Sequence, residues 1–152
     1  FYADRATIDQ IPLADCAGPA YKIDLCDCPV IDEIDLAPHR DAIAGNPHLI
    51  INTGWYEQWR QPGFFSEHPV LTAAAAQLIV DCKVRLIGVD FPSVDRPPHP
   101  AHLVLLGHDV LIVETLTNLA EIGDTAFNFS ALPLAIAGRD GSPVRAFARI
   151  AE

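Results

Sequence analysis

The sequence has 152 residues, half of them hydrophobic, and its 20 acidic and 10 basic residues give a formal net charge of -10. This length fits one domain, and the apolar content is sufficient for a buried core, which excludes a disordered chain. The acidic balance repels nucleic-acid phosphates and anionic lipid surfaces, and Lys and Arg cluster nowhere, so we expect neither a nucleic-acid nor a membrane partner.

The first half of the chain predicts two strands, a loop and a helix. Residues 19–25 alternate apolar and polar side chains like a half-buried strand, and 48–53 read as a more fully buried one. Aromatics mixed with Gln, Pro and Gly over 55–68 indicate an irregular surface loop. Pro69 suits the first turn of a helix that the alanines within 70–81 should continue.

The second half begins with a β-rich run at 84–90. Strand, loop, helix and strand then follow in the order that favours a crossover unit and a parallel strand pair. Three prolines make 91–98 a loop. Residues 99–107 can form a helical turn or two, and 110–113 read as a buried strand.

The end of the chain predicts a hairpin, because two strand-like runs, 131–137 and 144–150, flank the turn 138–141. Strands outnumber helices in this pattern. We therefore expect an α/β fold in which helices pack on a mixed β-sheet.

No segment is long and apolar enough for the roughly 20 residues of a membrane span, and no secretory signal is visible. We therefore expect a soluble, cytoplasmic protein. A domain of this size needs no disulfide, so free thiols are expected at all four cysteines. These are Cys16, Cys26, Cys28 and Cys82.

Metal-capable side chains are densest between residues 90 and 114. They are Asp90, Asp95, His99, His102, His108 and Glu114. Histidine together with carboxylate suits zinc, manganese or iron. Taken one at a time, each histidine is more often a surface or core residue than a ligand, and the spacing matches no standard metal motif.

Glu114 is more informative, because it directly follows the strand predicted at 110–113. An unpaired buried carboxylate is costly, so a cation should lie beside it. That cation can be a metal ion, or it can be the guanidinium of Arg85 or Arg96 in a salt bridge.

Four blocks of sequence carry a family resemblance. They are 86–95, 99–102, 113–119, and 131–134 together with 141–146. In their order and separations they resemble the C-terminal half of the cyclase family, which contains kynurenine formamidases and isatin hydrolases. Residues 53–55 and 68–69 extend the resemblance over roughly the whole chain.

The resemblance implies a swivelling β/β/α cyclase-like fold and a metal-dependent hydrolase acting on a cyclic or aryl amide, a formamide or a lactam. It assigns His102 and Glu114 as ligands of a divalent metal, Zn or Mn. It gives His99 only a supporting part and His108 at most a minor one. Because members commonly assemble, it also implies a homo-oligomer.

The sequence departs from the family in one respect. The remaining ligands and the catalytic histidine belong to an upstream motif, His-x-Gly-Thr-His-x-Asp-x-Pro-x-His, which is not in these 152 residues. Residues 1–4 resemble the sequence that follows it, so we expect 1–152 to be a single cyclase-like domain that lacks its N-terminal part.

Two other functions compete with hydrolysis. Two protein ligands fall short of the three typical of a catalytic zinc site, so a catalytically inactive binding or assembly fragment is the alternative. A nucleotide-binding domain is disfavoured, because no glycine-rich phosphate loop is present.

Two further groups of side chains have open roles. Asp90 and Asp95 either orient the ligands or cap and shape turns. Aromatic side chains of the 55–68 loop either stack on a flat substrate or pack at a subunit interface. The aromatics are Trp55, Tyr56, Trp59, Phe64 and Phe65.

Overall fold

The computed structural model describes residues 1–123 and 126–150. Within them the chain forms eight strands and four α-helices. In chain order they are β1 Ala17–Asp24, β2 Val30–Ile31, α1 Glu33–Leu36, α2 Arg40–Ala44, β3 His48–Asn52, β4 Val70–Leu71, α3 Ala73–Asp81, β5 Leu86–Val89, α4 Pro100–Gly107, β6 Leu111–Val113, β7 Phe127–Ser130 and β8 Phe147–Ile150.

Six of the strands form one mixed sheet in the order β6-β5-β3-β1-β7-β8. The first four are parallel to one another, and β7 and β8 add antiparallel strands at the other side. The parallel pair of β3 and β5 confirms the predicted crossover, and the sheet with its helices confirms the α/β fold. β2 and β4 pair separately as a short parallel ladder.

The core lies on both faces of this sheet, because successive strand residues point to opposite sides. Leu49, Ile51 and Ile87 face α1, α3 and α4 on one side. Ile50 and Phe129 lie in a second cluster on the other side, which residues of the 114–123 segment help to cover. Among the residues that the structure describes, no helix has the length and apolar character that a bilayer crossing requires.

The predicted start of the third helix is wrong. Val70 and Leu71 pair with Val30 and Ile31 in the short ladder instead of entering the helix. The helix starts after Thr72, whose hydroxyl accepts a hydrogen bond from the Ala75 amide at 3.1 Å. A threonine cap and a tertiary pairing thus outweigh the preference of Pro69 for a first helical turn.

The predicted strand at 131–137 is also wrong, since β7 occupies the residues just before it. Phe127 and Phe129 bury their rings in the second core while their backbone pairs with β1 and β8. In 131–137 only an isolated bridge from Pro133 to Val144 is formed. Strand β6 differs in a smaller way: it is an edge strand, so two of its three residues are only partly buried.

All four cysteines are free thiols, as expected. Cys16 and Cys82 are buried, whereas Cys26 is exposed.

Candidate metal centre

The two predicted ligands meet at the carboxyl edge of the parallel strands. Glu114 directly follows β6, and His102 lies in the first turn of α4. His102 Nε2 and Glu114 Oε1 are 3.6 Å apart. This separation is long for a hydrogen bond, but two ligands that are each about 2.1 Å from one ion lie about 3.0–4.2 Å apart. The pair therefore fits two positions around a common divalent cation.

Asp95 fixes the other edge of the His102 ring. Its Oδ1 is 2.6 Å from His102 Nδ1 and 2.9 Å from His99 Nδ1. A carboxylate oxygen accepts, so His102 Nδ1 carries a proton and donates it, which leaves Nε2 as the atom directed at Glu114. A carboxylate behind a histidine ligand is a common way to orient the ring and raise its basicity.

The same aspartate also starts helix α4. Asp95 Oδ2 accepts from the backbone amides of Ala101 at 2.7 Å and of His102 at 3.0 Å. The residue at the N-cap position, His99, makes no capping bond with its own side chain and has a left-handed backbone with φ 64°. Asp95 thus satisfies two amides of the first helical turn from outside the helix. Asp95 thus contacts the ring of the predicted ligand His102 and also shapes the chain.

Electrostatics favour a cation at this position. Burial lowers the pKa of His102, but Glu114 and Asp95 outweigh it, and the pKa is raised from its ordinary value. Burial likewise opposes ionisation of Asp95, yet the bonds from the His102 amide and the two imidazoles leave its pKa lowered. A metal ion that binds His102 Nε2 would therefore replace the proton that this nitrogen holds without metal.

Glu114 is held by backbone and not by arginine. Its Oε1 accepts from the Val94 amide at 3.2 Å, and its side chain is 32% exposed, so it is less buried than the sequence suggested. Arg85 pairs with Asp15 at 2.8 Å, and Arg96 donates to the backbone carbonyl of His68. In residues 1–123 and 126–150, neither arginine forms an ion pair with Glu114, so the salt-bridge alternative is not found.

His99 offers a second way to hold an ion. One ligand atom from each of Asp95, His99 and His102 lies within 4.8 Å of the others. An ion there would compete with the protons that both Nδ1 atoms donate to Asp95, so this arrangement fits less well than the Nε2 side of His102. His108 lies outside the group: it is exposed at the end of α4, where Nδ1 donates to the Val104 carbonyl at 2.8 Å.

Asp90 shapes the aromatic loop instead of contacting the ligands. It is fully buried, and its Oδ1 accepts from the Thr53 amide at 3.0 Å and the Thr53 hydroxyl at 2.8 Å. That hydroxyl in turn accepts from the Trp55 amide. Among residues 1–123 and 126–150 no group hydrogen-bonds Asp90 Oδ2, and burial raises the pKa of this carboxyl.

The aromatic residues of the loop pack mainly on one another. Phe64 is buried, stacks on Trp55 and meets Trp59 edge to face. Trp59 and Phe65 remain 52% and 70% exposed. These two side chains, and not Phe64, are available to a substrate or a partner.

Two neighbours of the site were not expected from the sequence. The Phe1 ring stacks on that of His102, with centroids 4.6 Å apart and an interplanar angle of 4°. His68 is buried and stacks on Phe91, with burial lowering its pKa. Both are far from Asp95 and His102 in sequence, and no local pattern marks them.

Comparison with known proteins places the chain in a family. Residues 1–96 match the family model described as Cyclase. Kynurenine formamidase from Bacillus cereus is 34% identical over 135 residues, which are 87% of this chain and 62% of that protein. Kynurenine formamidase from Bacillus cytotoxicus is 35% identical over the same share of each chain. The chain thus spans less than two thirds of the length of these relatives.

Solved structures show the same fold. A structure titled as a potential metal-dependent hydrolase with cyclase activity superposes with a TM-score of 0.82 at 28% identity, and the match covers 95% of this chain and 71% of that one. Isatin hydrolase A from Labrenzia aggregata gives a TM-score of 0.85 at 24% identity, over 99% and 67% of the two chains. At this identity the match with isatin hydrolase A shows only that the fold is shared.

Proposed function

The chain belongs to the cyclase family, and on this premise we propose that it supplies His102 and Glu114 to the metal site of an amide hydrolase. One observation carries the proposal: His102 Nε2 faces Glu114 Oε1 at 3.6 Å while Asp95 holds His102 Nδ1. Histidine and carboxylate together suit Zn²⁺ or Mn²⁺.

In this proposal the substrate is an aryl formamide or a cyclic amide. The kynurenine formamidases among the relatives support a carbon–nitrogen bond as the one that is hydrolysed. A divalent ion held there supplies Lewis-acid chemistry, which polarises a carbonyl and acidifies water. Asp95 keeps the proton of His102 on Nδ1, and the Val94 amide orients Glu114.

The rest of the site would come from residues upstream of Phe1, and 1–152 would be the remainder of one domain. Two ligands fall short of the three typical of catalytic zinc. Phe1 lies directly against His102, which supports the entry of an upstream histidine and aspartate motif at this point.

A cytoplasmic homodimer completes the proposal. Cys26 is an exposed free thiol, which suits a reducing compartment. The exposed rings of Trp59 and Phe65 suit a subunit contact.

The test is a titration with Zn²⁺ and Mn²⁺ of the chain together with the upstream residues that the proposal requires, followed by assays with an aryl formamide and a lactam. We expect one bound ion per chain, and its loss in Glu114→Gln but not in the control His108→Ala. Equal binding by Glu114→Gln would overturn the assignment. A chain that binds the ion and hydrolyses nothing would be the binding fragment.

A further inference from the structure

The loop 91–98 contacts both halves of the candidate site through its backbone. The Val94 amide donates to Glu114 Oε1 at 3.2 Å, and the Val94 carbonyl accepts from the Leu71 amide at 2.8 Å. Val94 is therefore bonded on one side to the ligand and on the other to strand β4. A shift of this residue would move the carboxylate of Glu114.

Asp95, the next residue, contacts the other ligand. Its two carboxylate oxygens together accept from the His102 ring and from the Ala101 and His102 amides. Two successive residues of one loop thus orient both ligands, so the precision of the site depends on what holds this loop.

Arg96 supplies the third contact. Its guanidinium donates to the backbone carbonyl of His68, the last residue of the aromatic loop. The His68 ring stacks on Phe91 at the start of the 91–98 loop, with centroids 6.2 Å apart and an interplanar angle of 10°. The two loops are therefore joined at both ends of the segment that carries Val94 and Asp95.

The composition of the loop limits the other anchors at its Arg96 end, where the Arg96 carbonyl accepts from the nearby His99 amide at 2.8 Å. Pro92, Pro97 and Pro98 have no amide hydrogen, so they cannot anchor the segment by backbone donation. Residues 96–98 are exposed, and packing does not restrain them. A side chain that reaches across to His68 restrains this end.

We propose that Arg96 is a positioning residue for the metal centre. Held on the His68 carbonyl, it fixes the loop that presents Asp95 to His102 and the Val94 amide to Glu114. The statement about metal rests on the proposed function; the statement about loop order does not. Arg96 touches neither ligand and acts through its neighbours.

The first measurement is amide hydrogen exchange on the metal-free chain. In Arg96→Gln, we expect the Val94, Ala101 and His102 amides to exchange at least about threefold faster, with the Ile50 amide of β3 unchanged. Arg96→Lys keeps a donor on a long side chain, whereas the donor of glutamine is too short to reach as far, so Arg96→Lys should restore part of the protection. The control is Arg85→Gln, which removes another exposed arginine, the partner of Asp15.

The second measurement is Mn²⁺ affinity, which should fall roughly tenfold in Arg96→Gln and stay unchanged in Arg85→Gln. The positioning role would be overturned if the three amides exchanged at the wild-type rate in Arg96→Gln. It would also be overturned if Arg85→Gln accelerated their exchange equally. Absence of Mn²⁺ binding by the wild-type chain with its upstream residues would instead contradict the proposed function, and the exchange data would still decide the role of Arg96.

Discussion

Replacing Asp95 with asparagine tests whether one carboxylate sets the tautomer of His102, the proposed ligand. Asparagine keeps the shape but offers one acceptor and one donor where aspartate has two acceptors. The Ala101 and His102 amides require the acceptor, so the NH₂ group must face His102 Nδ1. That nitrogen then has to accept, its proton moves to Nε2, and a metal ion can bind Nε2 only by displacing that proton.

The expected losses in metal affinity and in stability are of similar size. Changes behind a metal ligand typically reduce affinity 10–100-fold, or about 1.4–2.8 kcal/mol. In the metal-free chain the two hydrogen bonds from backbone amides lose their charged acceptor, which costs about 1 kcal/mol for each bond. Asparagine also avoids the cost of burying a charge, and this offsets part of the loss. We expect the free energy of unfolding to fall by about 1–2 kcal/mol at neutral pH.

The stability difference should also depend on pH. The pKa of Asp95 is lowered in the folded state, because its hydrogen bonds outweigh burial, so its contribution is present above the ordinary pKa of 3.8 and is lost as pH falls through the folded value. Urea unfolding of the wild-type chain and Asp95→Asn should therefore converge at acid pH.

The assay pairs isothermal titration with Zn²⁺ and nitrogen NMR of the histidine rings. Asp109→Asn is the control, since Asp109 is an exposed carboxylate that pairs with Arg5. A Zn²⁺ affinity within about threefold of wild type, together with a proton still on His102 Nδ1, would show that Asp95 does not set the tautomer of His102.

Three further predictions follow from buried ionisable groups. Metal affinity should weaken about tenfold for each pH unit below the raised pKa of His102, because the metal ion and the proton compete for Nε2. Titration calorimetry at several pH values measures this, and an affinity that does not change with pH would place the ion elsewhere. Asp90→Asn should keep or increase stability at neutral pH, since the raised pKa of Asp90 makes its charged form unfavourable, and a melting temperature well below wild type would contradict this. His48 is buried with a lowered pKa, chiefly because of burial, so its contribution to stability is lost as pH falls below about 6.5. The wild-type chain should therefore lose more stability than His48→Gln between about pH 7.5 and pH 5 in urea titrations, and parallel losses would exclude this role.

The parallel part of the fold was predictable because its signals are local. Strands β1, β3 and β5 each have a clear apolar pattern followed by a loop. Strand β7 was misplaced, since its alternation of Phe127 and Phe129 with Asn128 and Ser130 is short and only its pairing with β1 makes it a strand. The start of α3 was misjudged for a similar reason, because β4 exists only through its partner β2, which lies 40 residues earlier.

The sequence predicted two residues that lie together at the candidate site, but not the contacts that support them. Resemblance to the family assigned His102 and Glu114, and residue type alone marked Asp95 as one of two similar carboxylates. Nothing local distinguished Asp95, which supports His102, from Asp90, which supports Thr53. The contact of Arg96 with His68 joins residues 28 positions apart and leaves no local pattern in the sequence.

The dual use of Asp95 limits how this centre can change in evolution. The segment 95–102 must begin a helix whatever ion is bound, since the first amides of α4 have no capping side chain at their own N-cap. Substitutions that adapt the site to a different metal or charge would therefore be easier at Glu114. Its carboxylate is partly exposed and, among the described residues, accepts one hydrogen bond from the backbone. Related chains that differ in metal preference should vary there first and keep the aspartate.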